Sequence, residues 1–256
     1  MRLDTLPAET RRLLDHLSGD PAIGRFTLIG GTALALSWGH RKSEDLDFAI
    51  PALNLPRTAC SAIVKRLEGN GWHLDDITDP MSRLYEENDG ADLADSQQDW
   101  LCRFNGAETG VKMTFFSEYK PVKQEEYQAA PLIYGEVRVM PPDNIFVLKS
   151  QLLFRRTTLR DLFDMSGFLD RGKGIEDVLA AAKKENPYVS YEQLRARLLP
   201  ARLKETDPGL ASLVDDGPQT FEEVKTALLQ HLDAYDRRLA AQVLSEDETS
   251  PRRLTP

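Results

Sequence analysis

The segment DLDFAI, residues 45–50, constrains the fold more than any other part of the sequence. Its apolar residues predict a strand. Residues two apart in a strand point to the same face, so Asp45 and Asp47 are expected side by side while Leu46 and Phe48 point into a core. Aspartate is disfavoured in strands, and two adjacent carboxylates repel each other. Either this is an edge strand with a solvated polar face, or a divalent cation compensates the charge.

Two adjacent glycines stand between a predicted strand, RFTLI at 25–29, and a predicted helix that begins with them. Glycine lets a phosphate approach the backbone closely, and the N-terminus of a helix offers N–H groups and a partial positive charge. By itself this turn is weak evidence, since many strand-to-helix turns use glycine. Asp45 follows Gly31 by 14 residues, however, and the stretch His40–Ser43 precedes it, where it can contact a triphosphate. That layout is typical of phosphoryl or nucleotidyl transfer.

The remaining patterns predict two regions. Strands and helices are mixed over residues 1–140, whereas the segments from 141 to 244 have helical spacing and the tail 245–256 is polar. Such an order favours an α+β domain followed by a helical one. The two cysteines, Cys60 and Cys102, have neither zinc spacing nor the sequence context of a nucleophile. No secretory signal or membrane-spanning run is evident, so we expect a cytoplasmic protein without a membrane partner.

Charge is distributed unevenly along the chain. The net charge is −9, which argues against a general nucleic-acid binder because phosphate contacts need a positive field. Residues 75–99 hold nine acids and one base, and the turn-rich part at 84–98 is predicted to be a loop. Residues 149–160 hold four bases and no acid. The sequence therefore leaves room for a local basic site.

The start of the helical region is the second informative stretch. One continuous helix would place Lys149, Arg156 and Arg160 roughly on one face. A lysine in a helix is usually solvated, however, and Thr158-x-x-Asp161 is a capping-box pattern in which Thr158 begins a new helix. The residues alone therefore leave a purely structural explanation open for these side chains.

The stretch IGGTALALSWGHRKSEDLDF resembles the opening motif of the AbiEii/AbiGii-type nucleotidyltransferase toxins, members of the DNA polymerase beta-like nucleotidyltransferase superfamily. The likeness includes the two glycines, the threonine after them, the His-Arg-x-Ser approach and the Asp-Leu-Asp-Phe strand. Later motifs of the family are similar to residues 143–145, Lys149 and residues 160–164 of this chain. The resemblance covers about residues 20–170 and is far more specific than the aspartate pair alone.

The resemblance implies an α+β fold. A polymerase beta-like nucleotidyltransferase core with a mixed sheet is expected over residues 1–140. A helical domain that completes the active site is expected over 141–244, followed by a flexible tail at 245–256.

The resemblance also implies a chemistry and a biological role. It implies a Mg²⁺-dependent enzyme, with Mn²⁺ as an alternative, that transfers NMP from an NTP to an RNA such as the 3′ end of tRNA. Lys149 would contact nucleotide phosphate, and Asp161 would be an essential acid near the site. The implied role is that of a toxin in a toxin–antitoxin or abortive-infection system, neutralised by a cognate antitoxin protein. The residues expected in the site are Asp45 and Asp47 for the metal; Asp45, Asp47, Lys149 and Asp161 for catalysis; Gly30, Gly31, Thr32, Arg41, Ser43 and Lys149 for the nucleotide; and Arg155, Arg156 and Arg160 for RNA.

One position departs from the superfamily pattern. Many polymerase beta-like enzymes carry a third carboxylate on a later strand, and alternation in the strand GVKMTFF places Thr114 there. Threonine is a poor metal ligand, which favours a single Mg²⁺ on the two aspartates over a full two-metal site. Glu108 or Glu118 remains available as a further carboxylate.

Two other functions remain open from the sequence. The chain can be a nucleotidyltransferase that acts on a small molecule such as an aminoglycoside, or on a protein hydroxyl; the acidic segment 75–99 suits a cationic antibiotic better than RNA. Alternatively it is a catalytically inactive nucleotide-binding module, which Thr114 permits.

Overall fold

The computed structural model describes residues 1–79, 96–203, 210–211 and 217–249. The chain forms two compact units. The first comprises Met1–Lys149 with Leu210–Gly217, and the second comprises Ser150–Gly209 with Pro218–Pro256. The predicted acidic loop at 84–98 falls mostly outside the described residues.

In the described part of the first unit the centre is a mixed sheet of seven strands, in the order β3-β4-β5-β2-β1-β7-β6. Strand β1 is antiparallel to β2 and parallel to β7, and β2 is parallel to β5. The predicted α+β class with a mixed sheet is confirmed. The strands are β1 Thr27–Ile29, β2 Leu46–Ile50, β3 Trp72–Asp76, β4 Gln97–Phe104, β5 Val111–Ser117, β6 Leu132–Tyr134 and β7 Val137–Val139.

Helices connect these strands and make up the described part of the second unit. Short 3₁₀ helices lie at Leu3–Thr5, Ile23–Arg25 and Glu125–Tyr127. The α-helices are α1 Ala8–Leu17, α2 Gly30–Trp38, α3 Arg57–Gly69, α4 Pro121–Gln124, α5 Pro142–Leu152, α6 Leu159–Asp170, α7 Ile175–Glu185, α8 Tyr191–Leu198 and α9 Phe221–Thr249. Within the described residues, no helix is long and apolar enough to cross a membrane.

The two faces of the sheet differ in polarity. Phe48 on β2 and Phe115 on β5 are register partners, are fully buried and stack with ring centroids 5.7 Å apart. Phe26, just before β1, packs on Phe115 at 4.9 Å. The residues that precede the two paired phenylalanines, Asp47 and Thr114, point to the opposite face because side chains alternate along a strand. An apolar core therefore supports a polar surface at the centre of the sheet.

The break between α5 and α6 excludes one of the two arrangements that the sequence left open for the basic stretch. Helix α5 ends at Leu152 and α6 begins at Leu159, so Lys149, Arg156 and Arg160 do not lie on one continuous helix. The intervening residues form turns and extended chain. The basic residues of this stretch are therefore not a single helical face. Strand β6 was not predicted, because its three residues are too few for a recognisable alternation.

Replacing Phe115 tests the core beneath the polar face. The change Phe115→Ala removes a fully buried ring that contacts two other buried rings. We expect the free energy of unfolding to fall by about 3–5 kcal/mol, the range for loss of a buried aromatic side chain. The measurement is urea denaturation followed by circular dichroism. The control Tyr119→Ala removes a ring that is 57% exposed and should change stability by about 0.5 kcal/mol or less.

Candidate functional site

The predicted site residues between Gly30 and Asp47 meet at one edge of the sheet. Strands β1 and β7 are parallel neighbours, so α2 and α5, which follow them directly or after a short turn, begin at the same edge. Ile29, the last residue of β1, is the register partner of Asp47 near the start of β2. The first turn of α2 and the aspartate strand are thus held side by side by backbone pairing.

Gly30 brings the first turn of α2 against Asp47. Its φ of +70° is a conformation that suits glycine and strains other residues, and it turns the chain from β1 into the helix. A Cβ atom at this position would lie 3.1 Å from Asp47 Oδ2, so the carboxylate reaches the start of the helix. The preceding residue, Ile29, provides no side-chain cap. The first-turn N–H groups of α2 therefore receive no N-cap side chain and suit an anion.

Arg41 lies over the same helical turn. Its guanidinium Nη2 is 2.3 Å from the point where a Cβ on Gly31 would stand, and its Nη1 donates to the carbonyl of Lys42 at 2.9 Å. The residue is only 2% exposed. A buried cation beside the positive end of a helix dipole raises the local positive potential. That potential favours a bound anion at this edge.

Thr32 and Ser43 tie the approach segment to α2. The Thr32 hydroxyl donates to the backbone carbonyl of Asp45, so the 2.8 Å contact between the two hydroxyls has Ser43 as its donor. Both residues are buried. The segment before β2 is also bonded to α1, because Thr10 Oγ1 donates to the carbonyl of Glu44 at 2.9 Å. These hydroxyls fix the position of Asp45, a role that the sequence did not suggest.

The two aspartates suit a divalent cation with few protein ligands. Asp47 lies in β2, and Asp45 is the residue just before the strand, one position outside the observed element. Both are partly buried rather than enclosed. Among the described residues, no group of three or more histidine, cysteine, aspartate or glutamate side chains could hold a metal ion. One or two carboxylates completed by water and phosphate oxygens is the arrangement that Mg²⁺ prefers, so the donor set fits such a cation.

Thr114 stands beside Asp47, as the strand alternation predicts. The two residues are register partners of the parallel strands β2 and β5. The Thr114 hydroxyl donates to Asp99 Oδ1 at 2.6 Å, and Asp99 is its register partner on β4. Glu108 lies exposed in the loop between β4 and β5, and Glu118 follows the end of β5, 3.3 Å from Lys123 Nζ. Neither glutamate belongs to the row of Asp47 and Thr114.

Sequence reasoning missed Asp99 as a neighbour of this row. The segment DWLCRFN is recognisable as a strand, but the residue that faces Thr114 depends on the register of the hairpin between β4 and β5. Lys149 is the eighth residue of α5 and only 8% exposed. Side chains of a helix lean toward its N-terminus, which for α5 lies at the edge described above. The predicted contact of Lys149 with phosphate remains a prediction.

The remaining predicted residues belong to the second unit. Thr158 is the N-cap of α6, as its sequence pattern predicts, and it accepts a hydrogen bond from the backbone N–H of Asp161 at 3.2 Å. The Thr158 hydroxyl donates to Asp161 Oδ2 at 2.8 Å, and Arg156 Nε lies 3.6 Å from the same oxygen. Arg155 forms an ion pair with Glu185. Two of the three arginines expected to bind RNA are thus already beside carboxylates.

Neither cysteine can serve as a nucleophile at neutral pH. Burial raises the pKa of the Cys60 thiol to about 11 and that of the Cys102 thiol to about 12. A thiol must ionise to attack, and these two stay protonated. The chemistry of the chain therefore falls to its carboxylates, hydroxyls and cations.

Comparison with known proteins identifies the family. The family model described as "Nucleotidyl transferase AbiEii toxin, Type IV TA system" matches residues 12–244. The chain belongs to the AbiEii nucleotidyltransferase toxin family. This membership confirms the resemblance carried by the glycine turn and the aspartate strand, and it confirms that the chain is an NTP-dependent nucleotidyltransferase. No curated protein is significantly similar to it in sequence.

Solved structures share the fold of this AbiEii family member. JHP933 from Helicobacter pylori is 18% identical, with a TM-score of 0.52 over 93% of this chain and 95% of its own. MenT4, a nucleotidyltransferase toxin from Mycobacterium tuberculosis, is 15% identical, with a TM-score of 0.50 over 88% of this chain and 84% of its own. At these identities the likeness shows the fold alone.

Substitution of Gly31 tests the packing of Arg41 on α2. The change Gly31→Ala puts a methyl group where the end of the Arg41 guanidinium lies, so the end of that side chain must shift. We expect a loss of about 1 kcal/mol in the free energy of unfolding, at the low end for overpacked sites because the displaced atoms end a flexible side chain, together with weaker NTP binding. Thermal denaturation and equilibrium binding of a non-hydrolysable NTP measure the two effects.

The matched control is Gly69→Ala at the end of α3. No heavy atom from elsewhere in the described chain lies within 4 Å of a Cβ built there. Alanine at that position should leave NTP binding unchanged and stabilise the helix by about 0.5–1 kcal/mol. Equal behaviour of the two alanine variants would show that Arg41 does not depend on Gly31.

Proposed function

We propose that this chain is a Mg²⁺-dependent toxin that transfers NMP from an NTP to an RNA acceptor, the 3′ end of tRNA being the first to test. One observation carries the proposal. The carboxylate of Asp47 lies against Gly30, so a site for a cation and a site for phosphate share one turn of the chain. A nucleoside triphosphate with its metal ion carries negative phosphate oxygens and a positive cation next to each other, as these two sites require. Mn²⁺ can replace Mg²⁺ in the same oxygen donor set.

The predicted site residues of the first unit have separate roles in this proposal. Asp45 and Asp47 hold the metal, which when bound neutralises the triphosphate charge. The first-turn N–H groups of α2 and the guanidinium of Arg41 hold phosphate oxygens, and Lys149 adds a further positive charge. Thr32 and Ser43 keep the aspartate strand at the fixed distance from α2. The oxygen of an acceptor hydroxyl then attacks the α-phosphorus and its proton passes to water, while the bond from that phosphorus to the bridging oxygen breaks and pyrophosphate leaves.

The bases near the start of α6 support an RNA acceptor. Arg155 and Arg156 are exposed and precede α6, and Arg160 is the second residue of α6. Their ion pairs with Glu185 and Asp161 involve arginines that are about half exposed or more. Their carboxylate partners are 15% and 7% exposed. Each guanidinium has five N–H donors, so an exposed arginine can bind an RNA phosphate while it keeps its carboxylate partner. The family description names a toxin–antitoxin system, so a cognate antitoxin is the protein partner that we propose.

Loss of the Asp47 carboxylate tests the central proposal. The full chain is incubated with Mg²⁺, total RNA and each α-labelled NTP in turn, and label on RNA is measured. We expect Asp47→Asn to lower the transfer rate by about 10²–10³-fold, because it removes a group that acts on transition-state charge through the metal. The control Asp4→Asn changes an exposed aspartate that pairs with Arg2 and should keep the wild-type rate.

Three outcomes of that labelling would contradict the proposal. Label found only on a small molecule such as an aminoglycoside, or only on protein, would replace the RNA acceptor. Binding of NTP without transfer to any acceptor would indicate an inactive module. Full activity in Asp47→Asn would remove the aspartate strand from the site.

Asp161 needs a test that separates catalysis from capping. Asp161→Asn keeps an oxygen that can accept from Thr158 but loses the charge, whereas Thr158→Ala loses the cap and keeps the carboxylate. If Asp161 is an essential acid, Asp161→Asn lowers transfer by at least about 100-fold with little change in stability. Thr158→Ala should cost about 1 kcal/mol of stability and retain most of the activity. The reverse pattern, measured by labelling and thermal denaturation, would make Asp161 purely structural.

A further inference from the structure

A row of three polar side chains crosses the centre of the sheet. Asp47 on β2, Thr114 on β5 and Asp99 on β4 are successive register partners, so they point to the same face. Adjacent strands lie about 4.8 Å apart, which places the backbone of Asp99 about 10 Å from that of Asp47, with Thr114 between them. The third carboxylate that the sequence lacks at position 114 is therefore present one strand farther out.

Hydrogen bonding fixes the direction of the Thr114 hydroxyl. Its single proton is donated to Asp99 Oδ1 at 2.6 Å. A hydroxyl group has one proton and two lone pairs, so the Thr114 oxygen can now only accept. Phosphate oxygens are also acceptors and cannot bond to it. The group that Thr114 can receive beside Asp47 is a donor, such as a hydroxyl.

Asp99 is held firmly enough to impose this orientation. Gln97 Nε2 donates to its Oδ2 at 2.8 Å, and Lys112 Nζ lies 3.3 Å from its Oδ1. Its backbone N–H donates to Thr78 Oγ1 at 2.9 Å. Asp99 is 7% exposed and Thr114 is 6% exposed, whereas Asp47 beside them is partly open. A substrate group would therefore reach the Thr114 oxygen from the Asp47 side.

We propose that Thr114 accepts a hydrogen bond from the attacking hydroxyl of the acceptor, and that Asp99 is a positioning residue that acts through Thr114. This inference rests on the proposed nucleotidyl transfer and assigns the acceptor's place within that site. The nucleotide phosphates lie on the Gly30 and Arg41 side of Asp47, and the acceptor hydroxyl lies on the Thr114 side. The hydroxyl–carboxylate pair takes over the orienting role of a third carboxylate without binding a second metal ion.

The two partners of the pair can be separated by substitution. Thr114→Val keeps the shape and removes the hydroxyl, and Thr114→Ser restores it. Asp99→Leu removes the acceptor that orients the hydroxyl, and Asp99→Asn keeps an acceptor oxygen without the charge. The matched control is Thr109→Val, at an exposed position in the loop between β4 and β5. Circular dichroism establishes that each variant is folded.

Transfer of label from α-labelled NTP to total RNA with Mg²⁺ gives the turnover rate, and equilibrium binding of a non-hydrolysable NTP gives the nucleotide affinity. We expect Thr114→Val and Asp99→Leu each to lower turnover about 10- to 100-fold, as small misplacements of a reacting group do. Their NTP affinity should stay within about twofold of wild type, because the pair does not contact the nucleotide. Thr114→Ser and Asp99→Asn should retain most of the rate, and Thr109→Val all of it.

A double-mutant cycle decides whether Asp99 acts through Thr114. In the Thr114→Val background, Asp99→Leu should cause no further loss of turnover. Independent, multiplying losses would overturn the positioning role, and so would a fall in NTP affinity equal to the fall in turnover. An active wild type whose Thr114→Val variant keeps full turnover would overturn this inference alone. A wild type that labels no acceptor would overturn the proposed function and this inference with it.

Discussion

The antiparallel pairing of β1 with β2 is the constraint on which the site depends. It sets Ile29 opposite Asp47, and the next residue, Gly30, turns the chain into α2 within reach of the carboxylate. A helix N-terminus and a pair of carboxylates, on the two sides of one short connection, are thereby fixed next to each other by backbone hydrogen bonds. Because the backbone holds the two features together, no side chain must be ordered to do so when a substrate binds. A site fixed in this way is preorganised.

Around this pairing, buried polar groups hold the approach segment. Thr32 and Ser43 use their hydroxyl protons within the protein, and Arg41 is almost fully buried over Gly31. A buried polar group that loses its partner costs about 1–3 kcal/mol, so this network resists displacement of the aspartate strand. The two hydroxyls support the approach segment, and their contact with a nucleotide stays a prediction, whereas Arg41 adds positive charge beside the helix.

Much of this arrangement was predictable because it is local. The glycine turn, the helix after it and the aspartate strand lie within one short stretch, and Thr158 marked the start of α6 by its capping pattern. Short-range patterns of this kind reflect backbone preferences that the tertiary structure rarely overrides. The predicted α+β class followed from the order of strands and helices. Periodicity alone left one continuous helix through Arg156 open, whereas the capping pattern at Thr158 predicted the second helix that the structure contains.

The sequence by itself determined the family, the type of fold and the residues that carry charge at the sheet edge. Only the tertiary structure decided which of those residues are neighbours. Asp99 faces Thr114 because of the register of a hairpin, and Thr114 faces Asp47 because of a parallel pairing between strands far apart in the chain. Register depends on which face each strand buries, as with the rings of Phe48 and Phe115, and on the geometry of the turn in a hairpin. The parallel pairing of β2 with β5 joins segments that are distant in the chain, so no local pattern encodes it. For that reason the sequence indicated a missing carboxylate at position 114, and the structure located one on the adjacent strand.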